Sequence, residues 1–315
     1  MSAKTHVTVP DPVTVPDPVR MPDPFTMRKP KIALTVGDPA GIGPEIVAKA
    51  QADAAVRAVC EPVVFDGPVE GVRVGEVSAA AGRSAYDTIV RAVDAARRGE
   101  VDGIATAPVN KLAFAQAGLP WKGHTDLLAH LCGTSQVAMM FHAPELKVVL
   151  ITVHVPLAEV PSLITPELVG QTIRITCQAM PRFGIAFPRL AIAGLNPHAG
   201  EGGVIGGEDE AVLAPVVHDA RARGIDITGP LPADTVFVRA ARGEFDCVLA
   251  CYHDQGLIPV KLLAFGHAVN VTIGLPIVRT SVDHGTAFDI AGKGVADAGS
   301  MIEAVKLAAR LAGQS

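Results

Sequence analysis

Short apolar runs alternate along the chain with longer segments in which apolar residues recur at every third or fourth position. The short runs predict strands at 31–36, 63–65, 103–106, 137–141, 146–152, 189–195, 247–251 and 269–273. The longer segments predict helices from about residue 44, at 84–98, from 165 to about 182, at 210–223 and at 300–311. Strands that alternate with helices are typical of an α/β fold built on a mainly parallel sheet.

The first 30 residues follow a different pattern. Val-Pro-Asp-Pro occurs at 9–12 and 15–18, Met-Pro-Asp-Pro at 21–24, and seven of the 25 prolines lie in this segment. Because proline cannot donate a backbone hydrogen bond, we predict a disordered, proline-rich tail over residues 1–30 and a folded part over residues 31–315. The alternatives are a docking segment for a proline-binding module and an upstream extension of a protein that starts at Met21 or Met27.

Composition and charge argue against several classes of protein. The formal net charge is -5, from 27 Lys and Arg against 32 Asp and Glu, and no long basic run is present, so we expect no nucleic-acid partner. No apolar stretch reaches the roughly 18 residues of a membrane span, and the N-terminus lacks the apolar core of a signal peptide. We therefore expect a cytoplasmic protein that does not bind membranes. The five cysteines lie in apolar segments without a CxxC pair, which favours free thiols over disulfides or a structural zinc site.

Polar residues stand at or just after the predicted ends of several strands. They are Thr106, His154, Asn196 with His198, and Tyr252 with His253. Ligands bind at this edge of open α/β sheets. The imidazoles of His154, His198 and His253 could converge there on one divalent cation and leave positions open for a substrate. The alternative is that each histidine caps a strand or bonds to a loop carbonyl.

Two further groups of residues could bind an anionic substrate. They are His124 and Thr125, within Gly-His-Thr-Asp at 123–126, and the trio Lys261, Asn270 and Arg279. The first group suits a phosphate or carboxylate if a helix begins there, and its alternative is a plain helix cap. The trio falls in a region predicted to hold short strands and turns. It could fix an anion, with arginine as a bidentate clamp, or each member could be an ordinary surface residue.

Two glycine-containing segments are candidates for ligand contacts. Gly-Asp-Pro-Ala-Gly-Ile-Gly-Pro-Glu at 37–45 joins the first strand to its helix and matches neither GxGxxG nor GxxxxGK[ST], so a ligand contact and a tight turn are both open. The segment 280–289 is rich in polar side chains at a predicted loop-to-helix transition. We predict that it lines a site for a cofactor, with Asp283, Thr286 and Asp289 as candidate contacts; its alternative is a solvated loop.

Taken together, the motifs resemble those of one enzyme family. They are the segment 37–45, Gly-His-Thr at 123–125, Gly-Leu-Asn-Pro-His-Ala-Gly-Glu-Gly-Gly at 194–203, Gly-Pro-Leu-Pro-Ala-Asp-Thr at 229–235, Tyr-His-Asp-Gln-Gly at 252–256 and Arg-Thr-Ser-Val-Asp-His-Gly-Thr-Ala at 279–287. In this order, from about Lys31 to the C-terminus, they resemble the 4-hydroxythreonine-4-phosphate dehydrogenase family of vitamin B6 biosynthesis. The resemblance implies a fold like that of isocitrate and isopropylmalate dehydrogenases, with two α/β lobes interleaved in sequence. It also implies a homodimer whose active site lies in the cleft and at the subunit contact.

The resemblance implies roles for single residues. The family's metal ligands correspond to His154, His198 and His253, drawn from both subunits, for one zinc, magnesium or cobalt ion. Its substrate-binding positions correspond to His124, Thr125, Lys261, Asn270 and Arg279. NAD or NADP would bind at a site that is not of the Rossmann type. Asp254, beside His253, and Asp234 are candidates for orienting ligands or relaying protons.

The implied reaction is the metal-dependent oxidation and decarboxylation of 4-hydroxy-L-threonine 4-phosphate, or 4-phosphooxy-L-threonine, to 3-amino-2-oxopropyl phosphate. Relatives act on 4-phosphorylated threonate or erythronate, or on cis-dihydrodiols of aromatic acids. Gly-His-Thr and Arg279 favour a phosphorylated substrate. The segment between Phe65 and Ser84 is shorter than in many members, which leaves substrate preference open. Two other classes remain, an acyltransferase of the phosphate acetyltransferase type and a non-catalytic binding module.

Overall fold

Ten strands form one mixed sheet within residues 28–314, the range that the computed structural model describes. They are β1 (Lys31–Thr35), β2 (Glu61–Phe65), β3 (Gly103–Thr106), β4 (Ala138–His142), β5 (Lys147–Leu150), β6 (Leu190–Ala193), β7 (Ile227–Leu231), β8 (Cys247–Ala250), β9 (Val269–Ile273) and β10 (Arg279–Ser281). Their order across the sheet is β2-β1-β3-β10-β9-β4-β5-β8-β6-β7. β9 is antiparallel to β10 and β4, β4 is antiparallel to β5, and the remaining pairs are parallel. The predicted α/β class is confirmed.

The helices connect these strands and cover both faces of the sheet. They are α1 (Gly43–Ala52), α2 (Ala54–Val59), α3 (Ala79–Arg97), α4 (Lys111–Gln116), α5 (His124–Leu131), α6 (Val160–Leu163), α7 (Pro166–Ala179), α8 (Ala214–Ala222), α9 (Ala233–Ala241), α10 (His253–Ala264) and α11 (Gly299–Ala312). α7 begins as predicted, because the Thr165 hydroxyl accepts a hydrogen bond from the Leu168 N–H at 3.3 Å. No helix in the described range is long and apolar enough to cross a membrane.

Several predicted boundaries were wrong for identifiable reasons. α3 begins at Ala79 instead of residue 84, because Ser78 caps it and accepts from the Ala81 N–H at 3.2 Å. The strand predicted at 146–152 ends at Leu150. The chain beyond it still bonds to the neighbouring segment, since the Ile151 N–H donates to the Ala250 carbonyl at 2.9 Å. The helix predicted at 210–223 is a π-helical turn over Asp209–Leu213 followed by α8.

Other predictions missed whole elements. β7, β10, α9 and α10 were not predicted from the apolar pattern. Lys261 therefore lies in α10, and the prediction that it stands among short strands and turns was wrong. The segment 280–289 begins in β10 and leads into turns, so the predicted transition into a helix was also wrong.

Arg28, at the start of the described residues, is bound to the folded part. Its guanidinium donates to both oxygens of Asp102, at 2.9 and 2.8 Å, and the predicted limit of the tail at residue 30 stays a prediction. The prediction for residues 1–27 falls outside the described residues. The division of residues 31–315 into two lobes stays a prediction.

The core has three clusters that define the two faces of the sheet. One cluster covers one face along its length and includes Leu34, Val149 and Val271. On the opposite face a cluster under α9 and α10 includes Val148, and another under α3, α4 and α5 includes Ala33. Because side chains alternate along a strand, the residues of β9 and β10 between these two clusters face a gap. That gap holds polar side chains, which are Asn270, Thr272, Arg279 and Ser281.

Candidate active site

His154 and His253 meet in a cavity at the C-terminal edge of β5 and β8. Their ring centroids are 5.4 Å apart. The cavity has a volume of about 250 Å³ and is also lined by Thr152, Tyr252 and Asp254. Burial lowers the pKa of His154, and the nearby charges of Lys111 and His253 lower it further. These effects favour the neutral form of the His154 ring, whose nitrogen lone pair can bind a metal ion.

Asp254 orients the second histidine. Its carboxylate lies 2.7 Å from Nδ1 of His253 and accepts a hydrogen bond when that nitrogen carries the proton. This tautomer leaves Nε2 of His253 free to accept a proton or bind a metal ion. His253 is the first residue of α10, so the helix fixes the position of its backbone.

His198 lies on a separate loop and is exposed. No group of three His, Cys, Asp or Glu side chains within residues 28–314 could hold a metal ion. A single chain thus brings together two of the three predicted ligands, and His198 does not complete a three-ligand group with them. The proposed set of three stays a prediction.

Unusual backbone conformations concentrate in the predicted functional segments. In the described range, the non-glycine residues with positive φ are His154, His198, Ala199, Glu201 and Ala287. His154 has φ 50° and His198 has φ 53°. A left-handed conformation costs a non-glycine residue about 1–3 kcal/mol and persists only where the surroundings enforce it. Such strain is typical of functional sites, and here it falls on two predicted ligands.

Arg279 is a buried cation in the gap between the two clusters. Its side chain donates from Nη1 to the Thr272 hydroxyl and from Nη2 to the Thr106 hydroxyl, both at 2.8 Å. Burial lowers the pKa of Arg279 to about 9, with no carboxylate to offset it among the described residues. A buried guanidinium without a counter-charge is costly unless an anion binds to it.

Three predicted substrate residues each present an unpartnered buried atom. Within residues 28–314, Nε2 of His124, Oδ1 of Asn270 and Nε of Arg279 have no hydrogen-bond partner. His124 begins α5, and burial followed by the charge of Arg279 lowers its pKa well below 6.5. Asn270 pairs in register with Ser281, close to Arg279 in sequence. The three residues therefore offer one acceptor, one donor and a neutral imidazole to a polar ligand.

Lys261 pairs with Asp283 at the same edge of the sheet. The Nζ to Oδ2 distance is 3.3 Å. Burial raises the pKa of Asp283, whereas Lys261, His284 and His253 lower it. Asp283 thus ties the predicted cofactor segment to α10, which carries both Lys261 and His253.

The two glycine-containing segments contact each other. The Ile42 N–H donates to the Thr286 carbonyl at 2.9 Å, and a Cβ at Gly41 would lie 2.7 Å from that oxygen. Glu45 accepts from the Ala296 N–H at 2.8 Å, and Lys49 donates to the Ala296 carbonyl at 2.6 Å. The segment 37–45 is therefore at least a structural support for the segment that follows β10. The ligand contact predicted there is not tested by these bonds.

Lys111 is a site residue that sequence reasoning missed. It is exposed at the start of α4, and its charge acts on His154. A Cβ at Gly123 would lie 4.0 Å from Cε of Lys111, so this side chain reaches between the Gly-His-Thr turn and the histidine pair. Its position shortly after the end of β3 was the available signal, the same one that identified Thr106.

The remaining predicted residues occupy the following places. Thr125 is the second residue of α5, Asp234 lies in the first turn of α9, and Asp289 is exposed in the turns after β10. α9 packs beside the loop that carries His198. Within residues 28–314, none of these three side chains forms a hydrogen bond or ion pair with a histidine of the site, and their roles stay predictions.

A larger cavity borders the turn between β9 and β10. Its volume is about 420 Å³, and its walls include Ile175, Phe183 and Leu311 from the continuous face of the sheet. It includes Thr272 and Arg279 but none of the three histidines. The smaller cavity is therefore the better candidate for the reacting centre.

Comparison with known proteins places this geometry in context. A family model described as pyridoxal phosphate biosynthetic protein PdxA matches residues 28–308. The D-threonate 4-phosphate dehydrogenase of Cupriavidus necator is 45% identical, over 90% of this chain and 97% of that protein. The 4-hydroxythreonine-4-phosphate dehydrogenase of Paracoccus denitrificans is 48% identical, over 89% of this chain and 97% of that protein.

Solved structures agree with the family match. The crystal structure of 4-hydroxythreonine-4-phosphate dehydrogenase from Klebsiella pneumoniae has a TM-score of 0.83 and 41% identity, covering 90% of this chain and 98% of that one. Isocitrate dehydrogenase from Methylococcus capsulatus has a TM-score of 0.50 at 18% identity, covering 88% of this chain and 83% of that one, a likeness of fold alone. The predicted kinship of fold with isocitrate dehydrogenases is confirmed.

Proposed function

The chain belongs to the family of pyridoxal phosphate biosynthetic protein PdxA, and we propose that it oxidises and decarboxylates 4-hydroxy-L-threonine 4-phosphate with NAD or NADP. The product would be 3-amino-2-oxopropyl phosphate. Relatives that share more than two fifths of their residues with this chain carry the matching dehydrogenase name.

The observation that carries the proposal is the buried guanidinium of Arg279, which has no carboxylate partner within residues 28–314 and whose Nε makes no hydrogen bond there. A phosphate or carboxylate of the substrate would supply the missing negative charge. His124 lies close enough for its pKa to respond to Arg279, and its free Nε2 could bond to the same anion. We assign His124, Thr125 and Arg279 to anionic ends of the substrate, and Asn270 and Lys261 to its other polar groups.

A divalent cation fits the histidine donors. We propose that His154, His198 and His253 hold zinc, magnesium or cobalt, with His198 reaching the site in a homodimer. The neutral state of His154 and the tautomer of His253 set by Asp254 both suit metal binding. When bound, such a cation polarises the substrate hydroxyl and stabilises the negative charge left after loss of CO2.

The chain's own residues carry the remaining work. Asp254 keeps the proton of His253 on Nδ1, and Lys111 adds positive charge between the anion-binding turn and the histidines. We propose that Asp283, Thr286 and Asp289 contact the nicotinamide cofactor, which supplies the two-electron acceptor. The contact between Ile42 and Thr286 would keep this segment in place for it.

A second copy of the chain is the proposed partner. Ile258 and Leu262 are 66% and 84% exposed and stand at i and i+4 on α10, and Phe265, 81% exposed, directly follows the last residue of that helix. These three residues form an exposed apolar stripe along α10 and its C-terminal end, the kind of surface that subunit contacts cover. Because α10 also begins with His253, a partner seated on the stripe would lie beside the histidine cavity.

A turnover assay tests the proposal. The dialysed protein is mixed with NAD or NADP, a divalent metal and 4-hydroxy-L-threonine 4-phosphate, and formation of reduced nicotinamide and CO2 is followed. We expect metal-dependent turnover that a chelator abolishes and that falls at least about a hundredfold in His253→Ala. Turnover that survives both treatments would contradict the histidine site.

A sugar-acid phosphate is the second candidate substrate. The relative from Cupriavidus necator is named D-threonate 4-phosphate dehydrogenase and is 45% identical over 90% of this chain. The two substrates share the phosphate and differ at C2, where one carries an amine and the other a hydroxyl. The Oδ1 of Asn270 can accept from either group, so competition between the two in the same assay decides the preference.

A further inference from the structure

The loop that carries His198 is built around one buried carboxylate. Asp209 is 1% exposed. Its Oδ1 accepts from the Leu195 N–H at 2.8 Å. Its Oδ2 accepts from the Asn196 N–H at 3.0 Å and from the Asn196 side chain at 2.9 Å. The carboxylate thus accepts hydrogen bonds from three N–H groups at the point where the chain leaves β6.

The backbone of this loop needs such an anchor. His198, Ala199 and Glu201 have φ of 53°, 54° and 45°, and none of them is glycine. Consecutive left-handed residues do not propagate as a helix and revert to other conformations unless the surroundings hold them. The loop's own backbone bonds are short-range turns, such as those from the Ala199 N–H to the Asn196 carbonyl and from the Ile205 N–H to the Gly200 carbonyl, both at 3.0 Å, and the chain departs from helical conformation at His198.

The loop backbone at Gly200 and Gly206 packs closely against Asp209 and Asn196. A Cβ at Gly200 would lie 3.3 Å from Cβ of Asp209. A Cβ at Gly206 would lie 2.6 Å from Nδ2 of Asn196, which also donates to Glu208 at 2.8 Å. The beginning and the end of the loop thus both contact the same pair of side chains, Asp209 and Asn196.

The geometry of Asp209 itself is unusual. It is the first residue of the π-helical turn that precedes α8. A single π-helical turn changes the direction of the side chains that follow a regular helix, and such turns occur frequently at functional sites. Here the turn accompanies a carboxylate that points at the loop after β6 and forms no ion pair with a Lys or Arg within residues 28–314.

We propose that Asp209 is a positioning residue that sets the place of the His198 imidazole through the loop backbone. The inference rests on the proposed function, in which His198 is a metal ligand. Asp209 touches neither metal nor substrate in this scheme. It acts by keeping a strained loop in one conformation, so that His198 needs no rearrangement when the metal binds.

Asp209→Asn tests the proposal, with Asp246→Asn as the matched control. Asp246 likewise accepts three hydrogen bonds, one from the backbone and two from the side chain of Arg189, at 2.8, 3.1 and 2.9 Å. It lies just before β8, at the N-terminal edge of that strand, whereas the Asp209 loop follows the C-terminal end of β6. Asparagine at either position keeps the size of the side chain and replaces one acceptor oxygen with a donor. Each variant therefore removes one carboxylate acceptor, at opposite edges of the sheet, and only Asp246→Asn also removes an ion pair, the one with Arg189.

Three quantities are measured on the full chain. Equilibrium dialysis with cobalt(II) gives the metal affinity, hydrogen exchange with mass spectrometry follows residues 195–206, and steady-state kinetics separates kcat from KM. For Asp209→Asn we expect a cobalt affinity about 10–100-fold weaker, faster exchange confined to the loop, and a lower kcat with little change in KM. For Asp246→Asn we expect cobalt affinity within about twofold of the original chain.

Each outcome decides between the proposals. Equal cobalt affinity in Asp209→Asn and the original chain, or an equal loss in both variants, overturns the role of Asp209 while leaving the proposed function intact. A lack of cobalt binding by the original chain overturns the metal site and the role of Asp209 together.

A milder variant covers the case in which Asp209→Asn does not fold. Asn196→Ala removes the side-chain donor and leaves both backbone bonds to Asp209. We expect it to weaken cobalt binding by about threefold to tenfold, less than Asp209→Asn. Unchanged binding in this variant counts against the proposal.

Discussion

Arg279 combines a positive charge and burial with the absence of a carboxylate partner within residues 28–314, and this sets its response to substitution. Arg279→Met removes an uncompensated buried charge and keeps an apolar stem. We expect the free energy of unfolding without substrate to change by no more than about 1 kcal/mol, because the lost hydrogen bonds to Thr106 and Thr272 offset the gain. Affinity for the phosphorylated substrate should fall about a hundredfold, as isothermal calorimetry would show.

Arg189→Met is the control for this prediction. Arg189 pairs with Asp246 at the far edge of the sheet, so its loss should leave substrate affinity unchanged. A similar loss of affinity in both variants would indicate a general effect of lost charge and count against a direct role for Arg279.

Asp254 allows a test of the tautomer of His253. In Asp254→Ala, Nδ1 of His253 loses its partner and the imidazole is free to rotate. We expect cobalt(II) affinity to fall about tenfold, measured by the visible absorption of the bound ion. Asp254→Asn keeps an oxygen that can accept from Nδ1, so it should lose less. Equal losses in the two variants would show that the charge matters and the hydrogen bond does not.

Sequence reasoning identified residues that carry their own chemical signal. Histidines after strand ends led to His154 and His253, which the structure brings together. Lys111 and Asp209 were missed: Lys111 follows the end of β3, but its contact with the site, like that of Asp209 with its loop, involves residues distant in sequence. In the sequence, Asp209 is an ordinary acidic residue at the start of a helix. Only its hydrogen bonds to the loop 13 or 14 residues earlier show that it supports the conformation of that loop.

At the scale of elements, β4 ends in a buried histidine with a testable effect on stability. The His142 ring stacks on Phe183 with centroids 5.6 Å apart. Burial lowers the pKa of His142 to about 4, and the charges of Lys147 and Arg310 act in the same direction. The unfolded chain binds a proton at this residue near pH 6.5, whereas the folded chain binds it only near pH 4.

The sign of the effect follows from these two values. The contribution of His142 to the free energy of unfolding is constant above pH 6.5 and decreases as the pH falls towards 4. The loss amounts to about 3 kcal/mol. In His142→Gln, the free energy of unfolding, measured with urea from pH 6.5 to pH 4, should fall by about 3 kcal/mol less than in the original chain. His218→Gln, on the exposed face of α8, should retain the full decrease; identical pH profiles for all three proteins would contradict the prediction.

Elements with strong apolar runs were predictable, and those with mixed signals were not. α10 contains Gly256 and Pro259, which indicate a break. Gly256 is instead required because a Cβ there would lie 2.7 Å from Leu150, so α10 packs closely on β5. β10 is short and consists of Arg-Thr-Ser, since its side chains partly face the polar gap. Elements that build the site thus lack the apolar pattern by which strands are recognised.

At the scale of the molecule, the apolar stripe on α10 predicts the state of assembly. Leu262→Asp places a charge in the middle of the stripe without touching the core, since Leu262 is 84% exposed. We expect the mass in solution, measured by light scattering, to fall from twice the chain mass to the single-chain value of 32.6 kDa. The free energy of unfolding of the chain should change by less than about 0.5 kcal/mol.

Phe187→Asp is the control for the stripe. Phe187 is 91% exposed on the loop that leads into β6 and is not part of the stripe on α10. It should leave the assembly intact. Assembly that survives Leu262→Asp would show that the subunits meet elsewhere or that the chain acts alone.

The strand order has a consequence for how the chain is made. The strands encoded before Val269 form two separate groups, β2-β1-β3 and β4-β5-β8-β6-β7, and β10 and β9 insert between them. A nascent polypeptide that has not yet delivered this last pair holds two half-sheets whose inner edges, β3 and β4, are unpaired. Open strand edges are templates for aggregation. The C-terminal strands β9 and β10 thus complete the sheet at its centre. If translation stops before Val269, the exposed edges of β3 and β4 can pair with strands of other chains.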